Sequence, residues 1–583
     1  MITVLKKANI KAKYVVWTTV FLLISAVGGM VMPSLLSQMI DVVNDQNLDG
    51  KTSSIITIGI VMAVLSVVIM ATMIVSIRIS SKMATEIATD LRSALFNHIQ
   101  TLAAPDMDKF GTASLVTRST TDITNIQLFV VYVLQIGLLC PMVLIAGIIL
   151  SSTTGGKLSS VLIIAVPILL IVSLLIVLFI IKLQNKLRKQ TDDVNTLFLE
   201  GLEGVRVIRA FNKQSHEKAR FAKTNEEYSA TLRKSTNLTG VLTPAIEIIF
   251  GLTNVAVVGL GAYFIKEGEI QVGALVANTQ YISMILMSII AMTLVIIMFP
   301  KAYSCAKRIE EIFLTQPSIT DGDKALDKRT KRSTVEFKNV TFAYSSNSDE
   351  AVLRNFNFSA KPGEFVAIMG RTGSGKSTVL KLIPRMYDTT FGEVLVDGIN
   401  VKDYKVDELR SIIGYVPQKN VLFSGDIALN LNFGNENGTE EDWAEACRIA
   451  CADEFVLKKD ETYHAPIAQG GTNLSGGQRQ RMAIARAVMK KPEIYLFDDS
   501  FSALDMKTDR TLRTNLRQSM GDSTVIMVAQ RVSSVIDADR IIVIENNEIA
   551  GMGTHRELLK TCPLYREIAV LQIGEEAVRE YEK

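Results

Sequence analysis

Glu364-Phe-Val-Ala-Ile-Met-Gly370-Arg-Thr-Gly-Ser-Gly-Lys-Ser377 is the stretch on which the fold class turns. Glu364 to Met369 reads as a buried strand, and Thr378-Val-Leu-Lys-Leu382 as the opening of a helix. Between them Gly370, Arg371, Thr372, Gly373, Ser374, Gly375, Lys376 and Ser377 have the spacing of a phosphate-binding loop. Glycines let the backbone turn tightly and aim N–H donors at phosphate from a helix N-terminus. Lys376 brings positive charge to the outer phosphates, and the Ser377 hydroxyl can ligate Mg²⁺. Further along, Ile494-Tyr-Leu-Phe-Asp498 is an apolar strand ending in a carboxylate suited to hold Mg²⁺ through water.

A third segment, Leu474-Ser-Gly-Gly-Gln478, narrows the class. With it the chain resembles the ABC transporter superfamily, whose signature is LSGGQ. Other elements of that family's pattern follow: Tyr344 at the adenine-stacking position, Gln418 in Tyr-Val-Pro-Gln, and Ser502-Ala-Leu-Asp505 as the D-loop. The resemblance implies ATP and Mg²⁺ as cofactors, with Ser377, Gln418 and Asp498 around the metal. It also implies that ATP is sandwiched between this chain's loop, including Thr378, and a second chain's signature. In return Ser475, Gly476, Gly477 and Gln478 would serve the nucleotide held by that second chain.

Composition divides the chain. It has 583 residues, too many for one core, and 48% are hydrophobic. The mean hydropathy of +0.27 is high for a soluble protein, and the apolar excess lies in the first half. Long apolar runs lie near Val15–Ile40, Ile55–Ile77, Leu128–Leu150, Val161–Ile181, Leu238–Ile265 and Val272–Phe299. Each, at about 20 residues, is long enough to cross a bilayer as a helix. The runs predict an all-α transmembrane domain with six helices over residues 1–316, which the resemblance implies is of the ABC exporter type. A linker over 317–334 and an α/β ABC ATPase domain over 335–583 follow.

Lys6, Lys7, Lys11 and Lys13 precede the first run, whereas the outer loops Asp41–Ser54, Ser151–Ser160 and Lys266–Gln271 hold little that is basic. That asymmetry places both termini in the cytoplasm and the chain, multi-pass, in a plasma membrane, on family grounds that of a bacterial cell. The first run is too long for a signal-peptide core and is read as retained. Ser80–Asn125 and Leu183–Thr236 are too extensive for simple loops and suggest helices continuing into the cytoplasm. They resemble the intracellular extensions of ABC exporters, with Phe110–Arg118 and Glu200–Phe211 as the segments matching a transverse docking helix.

Two positions depart from the family pattern. Asp499 stands where a Glu polarises the attacking water, and Gln530 stands where a His contacts the γ-phosphate. Asp499 is shorter by one methylene, about the 1.5 Å of a C–C bond, and a misplacement of about 1 Å can lower a rate about 10²-fold. Gln530 donates a hydrogen bond but carries no charge. His98, His216, His464 and His555 lie elsewhere in sequence. An impaired site beside an intact signature is the pattern of one subunit of a heterodimeric exporter, whose partner half-transporter keeps the Glu and the His. Ala468-Gln-Gly-Gly471, where many exporters have Gly-Glu-Arg-Gly, is a further departure. A homodimeric exporter of lipids or peptides, or a regulatory ATP-binding subunit, are the alternatives.

The five cysteines, Cys140, Cys305, Cys447, Cys451 and Cys562, lack metal-ligand spacing. A net charge of +3 carries no nucleic-acid footprint. The resemblance implies as partners the second half-transporter, the lipid bilayer and, on family grounds, a hydrophobic small molecule of the multidrug type. Within the fifth run Glu247 is either a substrate-cavity carboxylate or an interfacial residue near the cytoplasmic end. Met284, Met287, Met292 and Met298 offer adaptable apolar surface, which packing explains equally well.

Overall fold

A computed structural model of the chain describes residues 2–8, 11–44, 51–325, 333–344 and 350–582. Part of the first outer loop (45–50) and part of the expected linker (326–332) lie outside the described residues. The chain separates into two compact units. One comprises Met1–Thr101 with Phe110–Gln316, and the other Leu102–Lys109 with Pro317–Lys583.

The first unit is helical. Five helical stretches in it are long and apolar enough to cross a membrane: Ala12–Asn44, Thr52–Thr101, Thr112–Glu203, Gln214–Lys266 and Val272–Leu314. The third of these, 92 residues long, folds back on itself. Helix Leu138–Gly155 ends at Gly156, whose φ of 50° is left-handed, and helix Ser159–Glu203 begins after one short turn. The hairpin accounts for the third and fourth apolar runs of the sequence. Gly155 is required there because a Cβ would fall on the carboxamide of Asn278. That buried Asn278 accepts a hydrogen bond from Ser151 Oγ and donates to the Ala274 carbonyl at 2.8 Å.

The outer surface of this unit is apolar. In the most hydropathic window of Thr52–Thr101 no residue is buried, and Ile56, Val64, Val67 and Met70 are exposed on it. A polar solvent would disfavour such a face, whereas hydrocarbon satisfies it. Toward the other end the same helices become polar and are tied by ionic contacts. Arg308 grips the buried Asp122 in a bidentate pair, with Nε to Oδ2 at 2.8 Å. Arg118 donates to the Arg308 carbonyl and to Glu311.

The expected extensions form as helix. Lys51–Thr101 runs unbroken through Ser80, and Ser159–Glu203 continues past Leu183. The Glu200–Phe211 segment makes a corner, with the short helix Val205–Ala210 between two long ones. Near Phe110–Arg118 the picture differs from expectation. The residues that cluster with the second unit are Leu102–Lys109, just ahead of it. In that unit the Ser318 N–H donates to Asp106 Oδ2 at 2.8 Å, and Tyr387 Oη donates to Asp108 Oδ2 at 3.0 Å. Two carboxylates of the short helix Ala104–Phe110 that accept bonds from residues far along the chain mark this segment, and a docking pattern read by position alone missed them.

The second unit is α/β. Its strands are β1 (Val335–Phe342), β2 (Leu353–Ala360), β3 (Phe365–Gly370), β4 (Phe391–Val396), β5 (Ile399–Asn400), β6 (Ile413–Val416), β7 (Gly425–Asp426), β8 (Pro466–Ile467), β9 (Ile494–Asp498), β10 (Thr524–Val528), β11 (Arg540–Glu545) and β12 (Glu548–Gly553). The main sheet has the order β12-β11-β3-β10-β9-β6, parallel except for the β12 edge. A four-stranded antiparallel sheet, β2-β1-β4-β5, packs beside it. The parallel strands are buried on both faces and read as continuous apolar runs, as such sheets require. One core cluster contains Met369, Phe497 and Met527, and a second contains Ile368, Leu496 and Ile526. Alternate residues of the same strands thus feed opposite faces.

Candidate functional site

Register explains why distant sequence segments meet. Val528 pairs with Ile368 of β3 on one side and with Asp498 of β9 on the other. The loop after β3, the carboxylates at the end of β9 and the turn after β10 therefore emerge together at the carboxyl ends of parallel strands. Open α/β sheets bind their ligands at this edge. Gln418 joins them because it lies two residues beyond Val416, which pairs with Phe497.

The loop itself is wound for close approach. Gly373 and Gly375 take φ values of 84° and 92°, and a Cβ at Gly375 would strike the Val352 carbonyl. Helix Lys376–Leu382 starts there. Lys376 Nζ curls back on the loop, donating to the carbonyls of Gly370 at 3.0 Å and Arg371 at 2.7 Å. Burial pushes the pKa of this ammonium down, with Asp499 and Asp498 pulling it up. The buried Ser374 hydroxyl has no partner among the described residues. An orphaned hydroxyl inside a wound glycine loop suits a phosphate oxygen, so the residues fit the group the sequence implies.

Ser377 Oγ donates to Asp498 Oδ1 at 2.7 Å. Burial raises the pKa of Asp498, against the hydrogen bond from Ser377 and the charge of Lys381. The Tyr415 phenol is pushed up, chiefly by burial and then by the charge of the nearby Asp498. Sequence reasoning gave Tyr415 no role. Its only signal was its place three residues before Gln418, in the same Tyr-Val-Pro-Gln stretch.

Asp499 adopts a left-handed φ of 49°, which Asp tolerates better than longer residues. Its N–H donates to the Val528 carbonyl at 3.1 Å, fixing the turn against β10. Gln530 Nε2 donates to Asp499 Oδ2 at 2.8 Å, and Gln418 Nε2 approaches the same oxygen at 3.4 Å. The two departures from the family pattern are thus in contact. Burial raises the Asp499 pKa, with the Gln418 hydrogen bond opposing it and Asp498 reinforcing it. Gln572 holds the Gln530 backbone from behind, donating to its carbonyl at 2.8 Å and accepting from the Val532 N–H at 2.7 Å.

Tyr344 lies just past β1, half exposed, with its hydroxyl 3.1 Å from Thr378 Oγ1. Its ring meets Tyr387 edge-on at 5.2 Å, and Lys381 lies 5.8 Å from its centroid. Tyr387 is a second residue the sequence did not single out; only the packed structure puts it beside Tyr344.

The signature residues stand apart from this cluster. Ser475 caps helix Gly476–Met489 in a capping box: its Oγ accepts from the Gln478 N–H, and Gln478 Oε1 accepts from the Ser475 N–H. A Cβ on Gly477 would lie 3.1 Å from the Ala503 carbonyl, and one on Gly476 3.9 Å from the Ala503 Cβ. The signature therefore packs on Ser502–Asp505, and Asp505 in turn caps helix Met506–Ser519 by accepting from the N–H groups of Lys507 and Thr508. Glu247 is exposed on helix Gln214–Lys266.

Comparison with known proteins agrees with this architecture. A family model described as the ABC transporter transmembrane region matches residues 15–289, and one described as ABC transporter matches residues 353–502. An uncharacterized ABC transporter ATP-binding protein of Mycobacterium tuberculosis is 36% identical over 94% of both chains. The ATP-dependent lipid A-core flippase of Syntrophus aciditrophicus is 31% identical, covering 84% of this chain and 81% of its own. The fold matches the structure of a bacterial Atm1-family ABC exporter with ATP bound, with a TM-score of 0.81 and 24% identity over 97% of this chain and 99% of that one.

Proposed function

This chain belongs to the ABC transporter family as a half-size exporter, membrane-embedded and carrying an ATP-binding domain, and from that premise we propose that it is the degenerate-site subunit of a heterodimer. In this reading residues 1–316 form the membrane part, 317–334 the linker and 335–583 the nucleotide-binding part, with both termini cytoplasmic. Lys376 and the loop amides hold the phosphates of ATP, Tyr344 stacks on adenine, and Ser377, Gln418 and Asp498 surround Mg²⁺. Hydrolysis proceeds mainly at the other site, built on the partner's phosphate loop and completed by Ser475–Gln478 of this chain.

The observation that carries the reading is the bond from Gln530 to Asp499. A carboxylate one methylene short, tied up by a neutral amide where the family has an imidazole, is poorly placed to polarise water. An ionised acceptor holding such a bond gives up about 1.5–3 kcal/mol to release it. The signature, by contrast, is capped and ordered. A homodimer would join two such sites and gain nothing from it.

The cargo in this reading is a hydrophobic or amphipathic compound taken from the cytoplasm or the inner leaflet. The resemblance to a lipid A-core flippase favours a second reading, a homodimeric exporter of lipid. One experiment separates the two: purify the chain alone and with a candidate partner half-transporter, then measure ATP turnover and nucleotide retention. The heterodimer reading expects little turnover alone, and ATP retained at this chain's site while the pair turns over. Full turnover by the chain alone overturns it.

A further inference from the structure

On the side of the main sheet away from the phosphate loop's helix lies a cavity of about 390 Å³. It lies between helix Met506–Ser519 and the sheet, open to solvent on one side, and none of the residues assigned to ATP line it. Its floor is apolar: Phe365 of β3, Phe497 of β9, Val525 and Met527 of β10, and Phe501 from the loop after β9. Its wall is cationic, because Arg510, Arg513 and Arg517 recur along one helix at spacings of three and four. Its lining is divided evenly between polar and apolar surface, and concave sites of this size hold small organic molecules when apolar walls and convergent polar groups meet.

The three arginines are not equivalent. Arg513 is committed to the fold, donating to Asp509 Oδ1 at 3.3 Å and to the Ser534 carbonyl at 3.2 Å. Arg517 donates to the Asp537 carbonyl at 3.1 Å and to Asp539 Oδ1 at 3.3 Å. Those contacts also answer the acidic lining: Asp539 is held by Arg517 and by the Phe365 N–H, and Asp537 lies 3.8 Å from Arg513. The guanidinium of Arg510 has no hydrogen bond or ion pair among the described residues. It is the cation left over, at the rim of an aromatic floor, with all five N–H donors free to fork onto a carboxylate.

We propose that this cavity is a binding site for a small amphipathic organic anion, an aryl or short acyl carboxylate whose apolar body lies against the half-buried Phe365 and Val525, above the buried Phe497 and Met527, and whose carboxylate is held by Arg510. The placement has a consequence for the ATP site. Phe497 immediately precedes Asp498, and Phe501 lies two residues beyond Asp499. An occupant therefore rests against the segment that carries both carboxylates, from the side opposite the nucleotide loop.

The test uses the full chain in lipid nanodiscs and para-trifluoromethyl phenylacetate as probe, followed by fluorine NMR line broadening. Empty nanodiscs and the neutral phenylacetamide analogue serve as controls. Saturable broadening is expected for the carboxylate and much less for the amide. Arg510→Gln should weaken binding by about tenfold, the worth of one charge-assisted contact. Thr514→Trp, at an exposed position lining the cavity, should fill the space and abolish binding. Both positions are exposed, so both variants should fold and retain ATP binding, which the same samples report. Absence of saturable broadening, equal binding of the amide, or binding that survives either substitution unchanged overturns the assignment.

Discussion

Asp499→Glu tests whether, in the proposed degenerate site, the missing methylene by itself limits hydrolysis. The substitution extends the carboxylate by about 1.5 Å, and positional errors of about 1 Å are worth about 10²-fold in rate, or roughly 2.7 kcal/mol. Three features of the structure oppose the gain. Asp499 is 8% exposed, so the added methylene must displace neighbours. Its φ of 49° suits Asp better than Glu, and the left-handed conformation costs ordinary residues about 1–2 kcal/mol. Extension also breaks the 2.8 Å bond from Gln530, a loss of about 1.5–3 kcal/mol for a hydrogen bond to a charged group. Gain and cost are of the same size, so the single variant should change hydrolysis by less than about tenfold. Asp499→Glu combined with Gln530→His should exceed the sum of the two single effects, because groups of one catalytic unit are non-additive. The assay is single-turnover ATP hydrolysis in nanodiscs, with the catalytic Glu of the partner replaced by Gln so that only this chain's site reports. A gain near 10²-fold from Asp499→Glu alone would show that the Gln530 contact is no obstacle.

If the chain works in the proposed heterodimer, Ser475→Arg should remove most ATPase activity of the pair, since loss of one preformed donor to a reacting phosphate costs about 10²-fold; wild-type turnover by the mutant pair would refute the service in trans. Arg308→Ala should destabilise the membrane unit by about 1–3 kcal/mol, because it strands the buried Asp122 carboxylate although Arg308 itself is part-exposed. Adding Asp122→Asn should recover much of that loss, as thermal unfolding in detergent can measure. Burial raises the pKa of both Asp498 and Asp499, so their ionised forms cost stability at neutral pH, and that cost fades as pH falls through the raised values. Mg²⁺ binding has the opposite sign, since it needs the ionised form, and should weaken on acidification at a pH above the ordinary carboxylate value of 3.8. Isothermal titration of Mg-ATP across pH would show this, and Asp498→Asn should remove most of the dependence.

Much of this was open to reading in the sequence, for identifiable reasons. A phosphate loop must have glycines where φ is positive and a Lys and Ser at fixed offsets, so Gly373, Gly375, Lys376 and Ser377 announce themselves locally. A membrane helix needs about 20 apolar residues because hydrocarbon offers the backbone no partners. The runs therefore gave the helical unit, although the third and fourth share one helical stretch folded at Gly156. Leu102–Lys109 was not legible, because its place depends on what Asp106 and Asp108 meet. Tyr387 and Tyr415 stayed hidden for the same reason: a tyrosine in a sequence carries no sign of the ring or carboxylate it will touch.

The pair Asp499 and Gln530 marks the boundary between the two kinds of knowledge. Sequence alone determined that both depart from the family pattern, since residue type at a motif position is a one-dimensional fact. That Gln530 donates to Asp499 follows only from β10 lying between β3 and β9, with Val528 level with Asp498. Strand order and register are set by packing the whole sheet between two cores, and no local stretch of chain encodes them. The cavity beneath Arg510 is of the same kind. Its floor comes from three strands and its cation from a helix, and the partners that leave Arg510 free are chosen by the folded neighbourhood.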